Sequence, residues 1–441
     1  MSLEIQTPKD LSTLKKIILE GSPILFSGSK TSTVIPFDRL LEGVSGIARI
    51  VDLSLMPTRL SLDEEGTVEV QGAISWQELR QFLHQKGREI GCWPTDQSAL
   101  VLSGLATSAT GERCFSLGTV RDQVLEINYL DYQANEKTLL STSSLDVGFE
   151  SYQEAYQVYA GFKNAPFPRF EVESDLMIGT EGQLGVITSA KFRTYELVPT
   201  SFIHIPTQSW IDSHEIIEYI EFAKNKEEIL SFEFFDQKCL ALACQNQFSQ
   251  SDYIVFEVSD LALEGFVEDL STQFPALVLE DVVILDEKKF FDFRVSIPRG
   301  VNEYISHHQL VKKGTDAQVR IENFSQLLQI YREMACEGID YVLFGHLGDC
   351  HLHFNFLPRH EQVERVDQLL EKFYDKILKL KGSPFAEHGI GLIKRKYISR
   401  FYPLEVVNTF KKLKAQMDPD GTFFPIGYMG LLSDLENNER S

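Results

Sequence analysis

The sequence lacks the features of a secreted, membrane-spanning or nucleic-acid-binding protein. Its six cysteines are scattered without a CxxC pair, so we expect reduced thiols and no disulfide framework. No apolar run reaches about 18 residues, which argues against a transmembrane helix. No apolar segment follows a basic start, so we predict no secretory signal and a cytoplasmic location. Acidic side chains number 64 and basic ones 42, and the net charge of −22 opposes binding to a phosphate backbone.

What the sequence does contain is typical of a globular protein of two or three domains. It has 441 residues, of which 43% are hydrophobic and 24% charged. In the first part, short apolar runs predict strands at 24–28, 50–56 and 66–73, and a helix is predicted over 75–87. Ser75 and Glu78 have the spacing of a capping box at the start of that helix.

The pattern changes near residue 197. The predicted order becomes β-α-β-β-α-β, which is the split βαβ arrangement of a ferredoxin-like sandwich. The six elements are predicted at 203–206, 213–224, 229–236, 253–259, 261–274 and 276–285. A helix at 325–337, a hairpin within 341–357 and a helix at 360–380 would complete this second domain.

Two segments rich in small residues are candidates for close contact with a ligand. Residues 96–122 are dense in Gly, Ser, Thr and Ala and carry few charges, which is unusual for a solvated surface loop. Gly179, Gly182 and Gly185 recur at every third position before a predicted strand. Such a turn can direct backbone N–H groups at a ligand, although a tight structural turn has the same composition.

Histidines are concentrated in the hairpin at 341–358. His351, His353 and Asn355 share one face of the second strand, and His346 ends the first strand. Pairing of the strands would bring His346 and His353 close enough to ligate one Zn, Fe or Mn ion. Histidines on a solvated sheet face are the alternative.

A second constellation follows at 383–397, where Glu387 and His388 are adjacent and precede two glycines. Glu387 would complete a three-ligand metal site with an open position, and His388 would be left to act as a base. The alternative is an ordinary turn after the preceding helix.

Six motifs in order resemble the FAD-linked oxidases and dehydrogenases of the vanillyl-alcohol oxidase (PCMH-type) superfamily. They resemble most the branch of D-lactate, glycolate and D-2-hydroxyglutarate dehydrogenases, in which GHLGDCHLH matches "GHxGDGNLH" and DLMIGTEGQLGVIT nearly repeats "DLFIGSEGTLGVIT". The six are SGLATSATG (103–111), SLGTVRDQVLEI (116–127), DLMIGTEGQLGVIT (175–188), GHLGDCHLH (345–353), EHGIGLIKRKY (387–397) and MDPDGTFFP (417–425).

The resemblance implies an α+β fold with a PCMH-type FAD-binding domain of two subdomains and a ferredoxin-like cap. The expected boundaries are 1–196 for FAD binding, 197–382 for the cap, and 383–441 for a segment that returns to the FAD domain. FAD is expected to be held noncovalently. The positions implied for it are Gly28, Lys30, Thr31, Gly104, Ala106, Thr107, Ser108, Gly111, Gly118, Thr119, Asp122, Gly179, Glu181, Gly182, Gly185, Val186 and Ile187.

The resemblance also implies a reaction. His346, His353 and Glu387 fall on metal-ligand positions, His388 on a catalytic base, and Arg294 on an arginine for the substrate carboxylate. A D-2-hydroxy acid would be oxidised to the 2-oxo acid by hydride transfer to FAD, with Zn or Mn binding the hydroxyl. We expect a small-molecule hydroxy acid substrate, an electron acceptor that the sequence does not identify, no nucleic acid and no transmembrane segment, and we consider a homodimer as the assembly.

The motifs depart from the family at several positions. Ser29 and Lys30 replace glycines of the first phosphate loop, where they would either displace the phosphates or, through Lys30, pair with them. The other departures are Ser103, Ser108, His351 and Phe424. Two alternatives follow: a diverged member that binds a ligand or partner with little or no FAD, and an oxidase or non-redox flavoenzyme with another substrate.

Overall fold

In the computed structural model the chain forms two lobes. Among the described residues, the first lobe contains two β-sheets and the second contains one. Cys244 is one of the six cysteines predicted to be reduced, and the tail after Leu435 belongs to the segment predicted to return to the FAD domain. Both lie outside the described residues. No helix in the described part of the chain is both long and apolar enough to cross a membrane. The described residues are 3–37, 46–145, 148–159, 161–162, 168–243, 248 and 250–430.

The first lobe combines a small parallel sheet, ordered β1-β3-β2, with a sheet ordered β4-β5-β9-β7-β8 in which β6 also pairs with β9. Its strands are β1 (Glu4–Gln6), β2 (Ile24–Ser27), β3 (Arg49–Asp52), β4 (Arg59–Leu62), β5 (Thr67–Gln71), β6 (Arg88–Ile90), β7 (Val124–Leu130), β8 (Glu136–Leu140) and β9 (Val186–Glu196). Its helices are α1 (Leu11–Leu19), α2 (Trp76–His84), α3 (Val101–Ala106), α4 (Cys114–Leu117), α5 (Val120–Gln123) and α6 (Glu150–Tyr156).

Local sequence signals account for these elements. The predicted capping box is present, because Ser75 Oγ accepts from Glu78 N at 3.2 Å and Glu78 Oε2 accepts from Ser75 N at 2.8 Å. The strand predicted over 50–56 ends earlier, since the Asp52 carboxylate accepts from Ser54 N at 3.0 Å and starts a 3₁₀ turn there. Residues 96–122 are largely buried and contain three short helices, so this segment is not a surface loop.

The second lobe is built on an antiparallel sheet ordered β13-β10-β12-β11-β15-β16-β14, whose first four members have the predicted split βαβ order. Its strands are β10 (Thr200–Thr207), β11 (Ile229–Phe235), β12 (Asp252–Ser259), β13 (Val283–Asp286), β14 (Lys313–Gly314), β15 (Tyr341–Gly345) and β16 (His353–Phe356). Its helices are α7 (Glu215–Ala223), α8 (Gln237–Leu242), α9 (Leu263–Gln273), α10 (Glu287–His308), α11 (Phe324–Ala335) and α12 (Val363–Lys379).

Two predictions for this lobe need correction. The strand predicted over 276–285 exists only from Val283, because Val278 and Leu279 lie on the surface at 52% and 45% exposure and enter a 3₁₀ turn. The sequence analysis also missed α10, whose N-terminus is capped by the Asp286 carboxylate, which accepts from Lys289 N at 2.9 Å. A proline lies inside this helix, and because proline normally ends or kinks a helix, the sequence pattern did not predict a continuous one.

The two faces of the second-lobe sheet differ in what covers them. Phe354 and Phe356 join the large core beneath α11 and α12, whereas Phe235 and Val342 pack with α10 on the opposite face. Because side chains alternate along a strand, Glu233 of β11 and His353 of β16 lie on the face of α10. First-lobe residues contact this face: Arg113 pairs with Glu257, and Glu112 Oε1 lies 3.3 Å from Arg294 Nε.

The C-terminal segment returns to the first lobe through α13 (Ile398–Phe401) and α14 (Leu404–Met417). Beyond α14 the chain runs parallel to β2: Ile24 N donates to Thr422 O and Phe424 N donates to Ile24 O, both at 2.7 Å. The buried ammonium of Lys414 donates to Gln183 O at 2.7 Å, which attaches this segment to the turn before β9.

Candidate active site

A cavity with an empty volume of about 1120 Å³ lies in the first lobe between its two sheets; we call it the first-lobe cavity. Its walls are mostly backbone and small or apolar side chains, which suits a large planar ligand with a diphosphate. Besides predicted residues it is lined by Leu100, Leu102 and Ser103 of the small-residue segment. The predicted FAD residues that line it are Gly28, Lys30, Thr31, Ala106, Thr107, Glu181, Gly182, Gly185, Val186 and Ile187.

The remaining predicted FAD residues do not line this cavity, and several have a clear role in folding. A Cβ at Gly104 would come within 3.1 Å of Trp76 Nε1, so glycine permits close packing there. Thr119 N donates to Asp122 Oδ2 at 2.8 Å and thereby opens α5. Their role toward FAD stays a prediction. The seven residues are Gly104, Ser108, Gly111, Gly118, Thr119, Asp122 and Gly179.

The altered phosphate loop places Lys30 on the cavity wall. Lys30 has a φ of +60°, a left-handed conformation that favours the glycine found there in the family. Its ammonium lies 2.8 Å from Asp52 Oδ2, so the cation is already paired within the first lobe. Burial raises the pKa of Asp52, but the hydrogen bonds from Lys30 and Ser54 outweigh it and lower that pKa overall. The Lys30 ammonium therefore lies on the cavity wall as part of an ion pair with the Asp52 carboxylate.

Glu181 connects the cavity to the loop that contains Glu387 and His388. Its Oε1 accepts from Ile390 N at 2.6 Å and from Gly391 N at 3.0 Å. Burial raises the pKa of Glu181 to about 7, against the lowering effect of these two backbone donors. The loop is thus fixed against a residue of the cavity wall.

The predicted metal-site residues come together beside this loop. Glu387 Oε2 lies 2.9 Å from His353 Nε2 and 3.9 Å from His346 Nε2. Burial raises the pKa of Glu387, but His353 and His346 outweigh burial and hold that pKa well below its usual range. One carboxylate oxygen therefore faces two imidazole nitrogens.

These residues fit a divalent metal. His346 Nε2 is buried and has no hydrogen-bond partner among the described residues, while its Nδ1 lies 2.6 Å from Glu233 Oε1. A carboxylate that orients the outer nitrogen of an imidazole leaves the inner nitrogen free for a metal. Burial lowers the pKa of His346, but Glu233 and the other nearby carboxylates raise it to about 10. A cation in this position would satisfy the unpartnered nitrogen.

Asp316, which the sequence analysis missed, organises the other half of the site. Its carboxylate accepts from Glu387 N at 3.0 Å and from His388 N at 3.2 Å, and it pairs with the ammonium of Lys394. His388 Nδ1 lies 3.7 Å from Asp316 Oδ1. Burial lowers the pKa of His388 despite the raising effect of Asp316, so its imidazole is neutral near pH 7.

Arg294 differs from the expectation in its surroundings. It is buried, with Nε 3.3 Å from Glu112 Oε1 and Nη2 3.6 Å from Glu233 Oε2. The prediction assumed an arginine available to a substrate carboxylate, yet two protein carboxylates already lie beside it. Glu233 could have been noticed in the sequence, because it is an acidic residue inside the apolar run ILSFEFF.

Lys312 is a second cation that the sequence analysis missed. It precedes β14, and alternation puts it on the sheet face of His353, since its neighbour Lys313 reaches Asp367 at 2.8 Å on the other face. Within the described residues Lys312 has no ion pair, although its side chain remains exposed. Desolvation by nearby protein atoms lowers the pKa of Lys312, while Glu387 raises it. Lys312 is therefore an exposed cation on the face of the sheet that carries His353.

Comparison with known families identifies the chain. Residues 3–139 match the FAD binding domain, and residues 218–426 match the C-terminal domain of FAD linked oxidases. This chain belongs to the FAD-linked oxidases. FAD is the cofactor of this family, and the chain is an oxidoreductase of the flavoprotein class. The family predicted from the six motifs is thereby confirmed.

Curated relatives of this FAD-linked oxidase are similar over most of the chain. A mitochondrial D-2-hydroxyglutarate dehydrogenase of Danio rerio is 26% identical over 85% of this chain and 69% of its own length. A mitochondrial cytochrome-dependent D-lactate dehydrogenase of Kluyveromyces lactis is 24% identical over 93% of this chain and 70% of its own length. The chain thus spans about 70% of the length of these two relatives.

A solved structure confirms the fold class. An alkyldihydroxyacetonephosphate synthase superimposes with a TM-score of 0.66 at 16% identity, covering 96% of this chain and 77% of the synthase. At this identity the likeness concerns the fold alone. The predicted α+β fold, a PCMH-type FAD-binding domain with a cap, is correct.

Proposed function

We propose that this chain oxidises a D-2-hydroxy acid to the 2-oxo acid and passes the hydride to FAD. The observation that carries the proposal is the loop 387–391. One end of it presents Glu387 and His388 to the imidazoles, and the other end donates two backbone hydrogen bonds to Glu181 on the cavity wall. A small acid between them would have its hydroxyl at the imidazoles and its Cα toward the cavity.

The cofactors supply chemistry that side chains lack: FAD accepts a hydride, and a divalent metal, Zn or Mn, lowers the pKa of a hydroxyl. His346, His353 and Glu387 would hold the metal. His388 takes the hydroxyl proton, because its ring stacks on His353 at 5.1 Å between centroids and its Nδ1 faces Asp316. Asp316 orients His388 and stabilises the imidazolium that results.

The substrate carboxylate needs a cation, and Lys312 is better suited to it than Arg294. The ammonium of Lys312 has no ion-pair partner among the described residues, whereas Arg294 lies against Glu112 and Glu233. We assign Lys312 to the carboxylate and Arg294 to positioning, since Arg294 helps to hold Glu233 against His346 Nδ1. Lactate, glycolate and 2-hydroxyglutarate share the chemistry that this arrangement recognises.

The experiment is anaerobic reduction of the FAD-loaded protein by D- and L-2-hydroxy acids, followed as bleaching of the visible flavin absorption. We expect bleaching by a D-enantiomer only. His388→Ala should slow bleaching by roughly 100- to 10,000-fold while FAD remains bound, because a positioned base contributes about that much. Exposed His360→Ala is the matched control and should bleach at the wild-type rate.

Three outcomes would contradict parts of the proposal. A colourless protein that quenches no added FAD fluorescence would favour a diverged member that binds a ligand without turnover. Bleaching at the wild-type rate in His388→Ala would refute the base. Activity that survives chelation of metals would instead favour a metal-independent flavoenzyme with another substrate.

A further inference from the structure

His351 is a buried histidine for which the reaction described above has no use. Its side chain has no solvent exposure, and its Nδ1 has no hydrogen-bond partner among the described residues. Its Nε2 lies 3.3 Å from Asp316 Oδ1 and pairs with that carboxylate. A buried polar nitrogen without a partner is costly, so this imidazole needs an explanation.

The position of His351 relates it to the metal site. Ligand atoms of His351, His353 and Glu387 all lie within 4.8 Å of one another, close enough to share one ion. The rings of His351 and His353 are 4.5 Å apart between centroids, and those of His351 and His346 are 6.2 Å apart. His351 and His353 therefore lie together at the carboxylate of Glu387, and His346 approaches it at 3.9 Å from the side of Glu233.

The backbone holds His351 in this place. It forms an isolated bridge with Gln318, whose side chain also donates to Asp349 O at 2.8 Å. A fixed backbone and a fully buried ring leave the side chain little freedom to turn away from the cluster. Rigid placement of this kind favours tight coordination.

We propose that His351 is a further metal ligand, which makes the site one of three imidazoles and one carboxylate. This inference rests on the proposed function, because it concerns the same metal. An added nitrogen donor favours Zn²⁺ over Mn²⁺, since imidazole suits zinc and oxygen ligands suit manganese. The resembled motif has asparagine at this position, so the chain differs from its family in the donor that would select the metal.

The test measures metal affinity of the FAD-loaded protein by competition with a chromophoric chelator, without any turnover. His351→Asn should raise the Kd for Zn²⁺ by roughly 10- to 100-fold and change the Kd for Mn²⁺ only a few-fold. His353→Asn is the matched control and should weaken both metals. Near-UV circular dichroism and flavin content report whether each variant folds.

The outcomes separate this inference from the proposed function. If His353→Asn loses Zn²⁺ and His351→Asn keeps it at the wild-type Kd, the ligand role of His351 is refuted and the metal site survives. If the Kd of the wild type for Zn²⁺ and Mn²⁺ is no lower than the Kd of either variant, the proposed metal site itself is refuted. If a variant does not fold, the EPR spectrum of the wild type loaded with Cu²⁺ still tests the ligand role of His351. Coupling of the copper to three nitrogens supports that role, and coupling to two excludes it.

Discussion

The first-lobe cavity and the group of charged residues around Glu387, which the proposed function joins in one reaction, are built in opposite ways. The cavity is lined by backbone, small residues and apolar side chains, and Lys30 on its wall forms an ion pair with Asp52. The group around Glu387 consists mainly of buried titratable side chains; within the part of the chain that the structure describes, His346 Nε2 and His351 Nδ1 have no hydrogen-bond partner. The first binds by shape, and the second by charge.

This difference predicts how stability and function are distributed. Buried polar groups without partners reduce the free energy of unfolding, and such residues gather where a ligand will satisfy them. A buried charge whose partners are all present contributes to the fold instead. Substitutions at the two kinds of residue should therefore separate loss of activity from loss of stability.

The largest effect is expected for Glu387→Gln. Loss of the carboxylate that faces His346 and His353 should abolish metal retention and slow flavin bleaching by substrate on the order of 1,000-fold, because metal assistance contributes several kcal/mol. Exposed Glu361→Gln is the control; retention of metal by Glu387→Gln would remove this residue from the site.

Glu89→Gln should have the reverse effect, on stability and not on chemistry. Glu89 is buried and binds Arg80 at 2.5 Å and His84 at 2.7 Å, and although burial raises its pKa these partners lower it to about 2. We expect the free energy of unfolding at pH 7 to fall by about 3 kcal/mol. Denaturant titration measures it, with exposed Glu64→Gln as the control.

The contribution of Glu89 to the free energy of unfolding depends on pH, and its lowered pKa gives the direction of that dependence. The folded-state pKa of Glu89 lies below its ordinary value of 4.5, so its contribution is complete above pH 4.5 and is lost as the pH falls toward 2. The stability difference between wild type and Glu89→Gln should therefore shrink over that range. A difference that stays constant down to pH 2 would show that the ion pairs do not hold this carboxylate.

The same contrast explains what the sequence could predict. His346, His353, Glu387 and His388 carry distinctive chemistry and occur in two compact motifs, and the structure places them together. Asp316 and Lys312 come from a stretch without a motif; the pairing of β14 with β16 brings this stretch beside the strand of His353, where Asp316 contacts Glu387 and His388. Long-range strand pairing is not encoded in local spacing, so these two residues could not be placed beforehand.

The cavity was harder to predict residue by residue. Small residues both line a ligand site and permit close packing, and composition does not distinguish the two uses. Gly28 and Gly185 line the cavity, whereas Gly104 packs against Trp76. The order of elements β-α-β-β-α-β along the chain of the second lobe was predictable, because alternation and helical periodicity are local, but α10 with its internal proline was not.

The next smaller effect is expected for Lys312→Met, which tests the charged group around Glu387. Removal of an ammonium that binds a carboxylate should lower kcat/KM on the order of 10- to 100-fold, mainly through KM, while metal content and FAD remain at wild-type levels. Lys313→Met is the matched control, because that adjacent lysine pairs with Asp367 on the other face. Equal effects of the two substitutions would mean that Lys312 acts only through surface charge.

The smallest effect is expected in the cavity, for Lys30→Gly. Glycine relieves the left-handed φ of +60°, but it removes the cation that neutralises Asp52 beside the expected diphosphate. We therefore expect the Kd for FAD to rise on the order of 10-fold, as for a lost exposed charge contact, with little change in stability of the apoprotein. Quenching of flavin fluorescence measures the Kd. Lys30→Arg keeps the charge and should bind FAD like the wild type; tighter binding by Lys30→Gly would show that this side chain obstructs the phosphates.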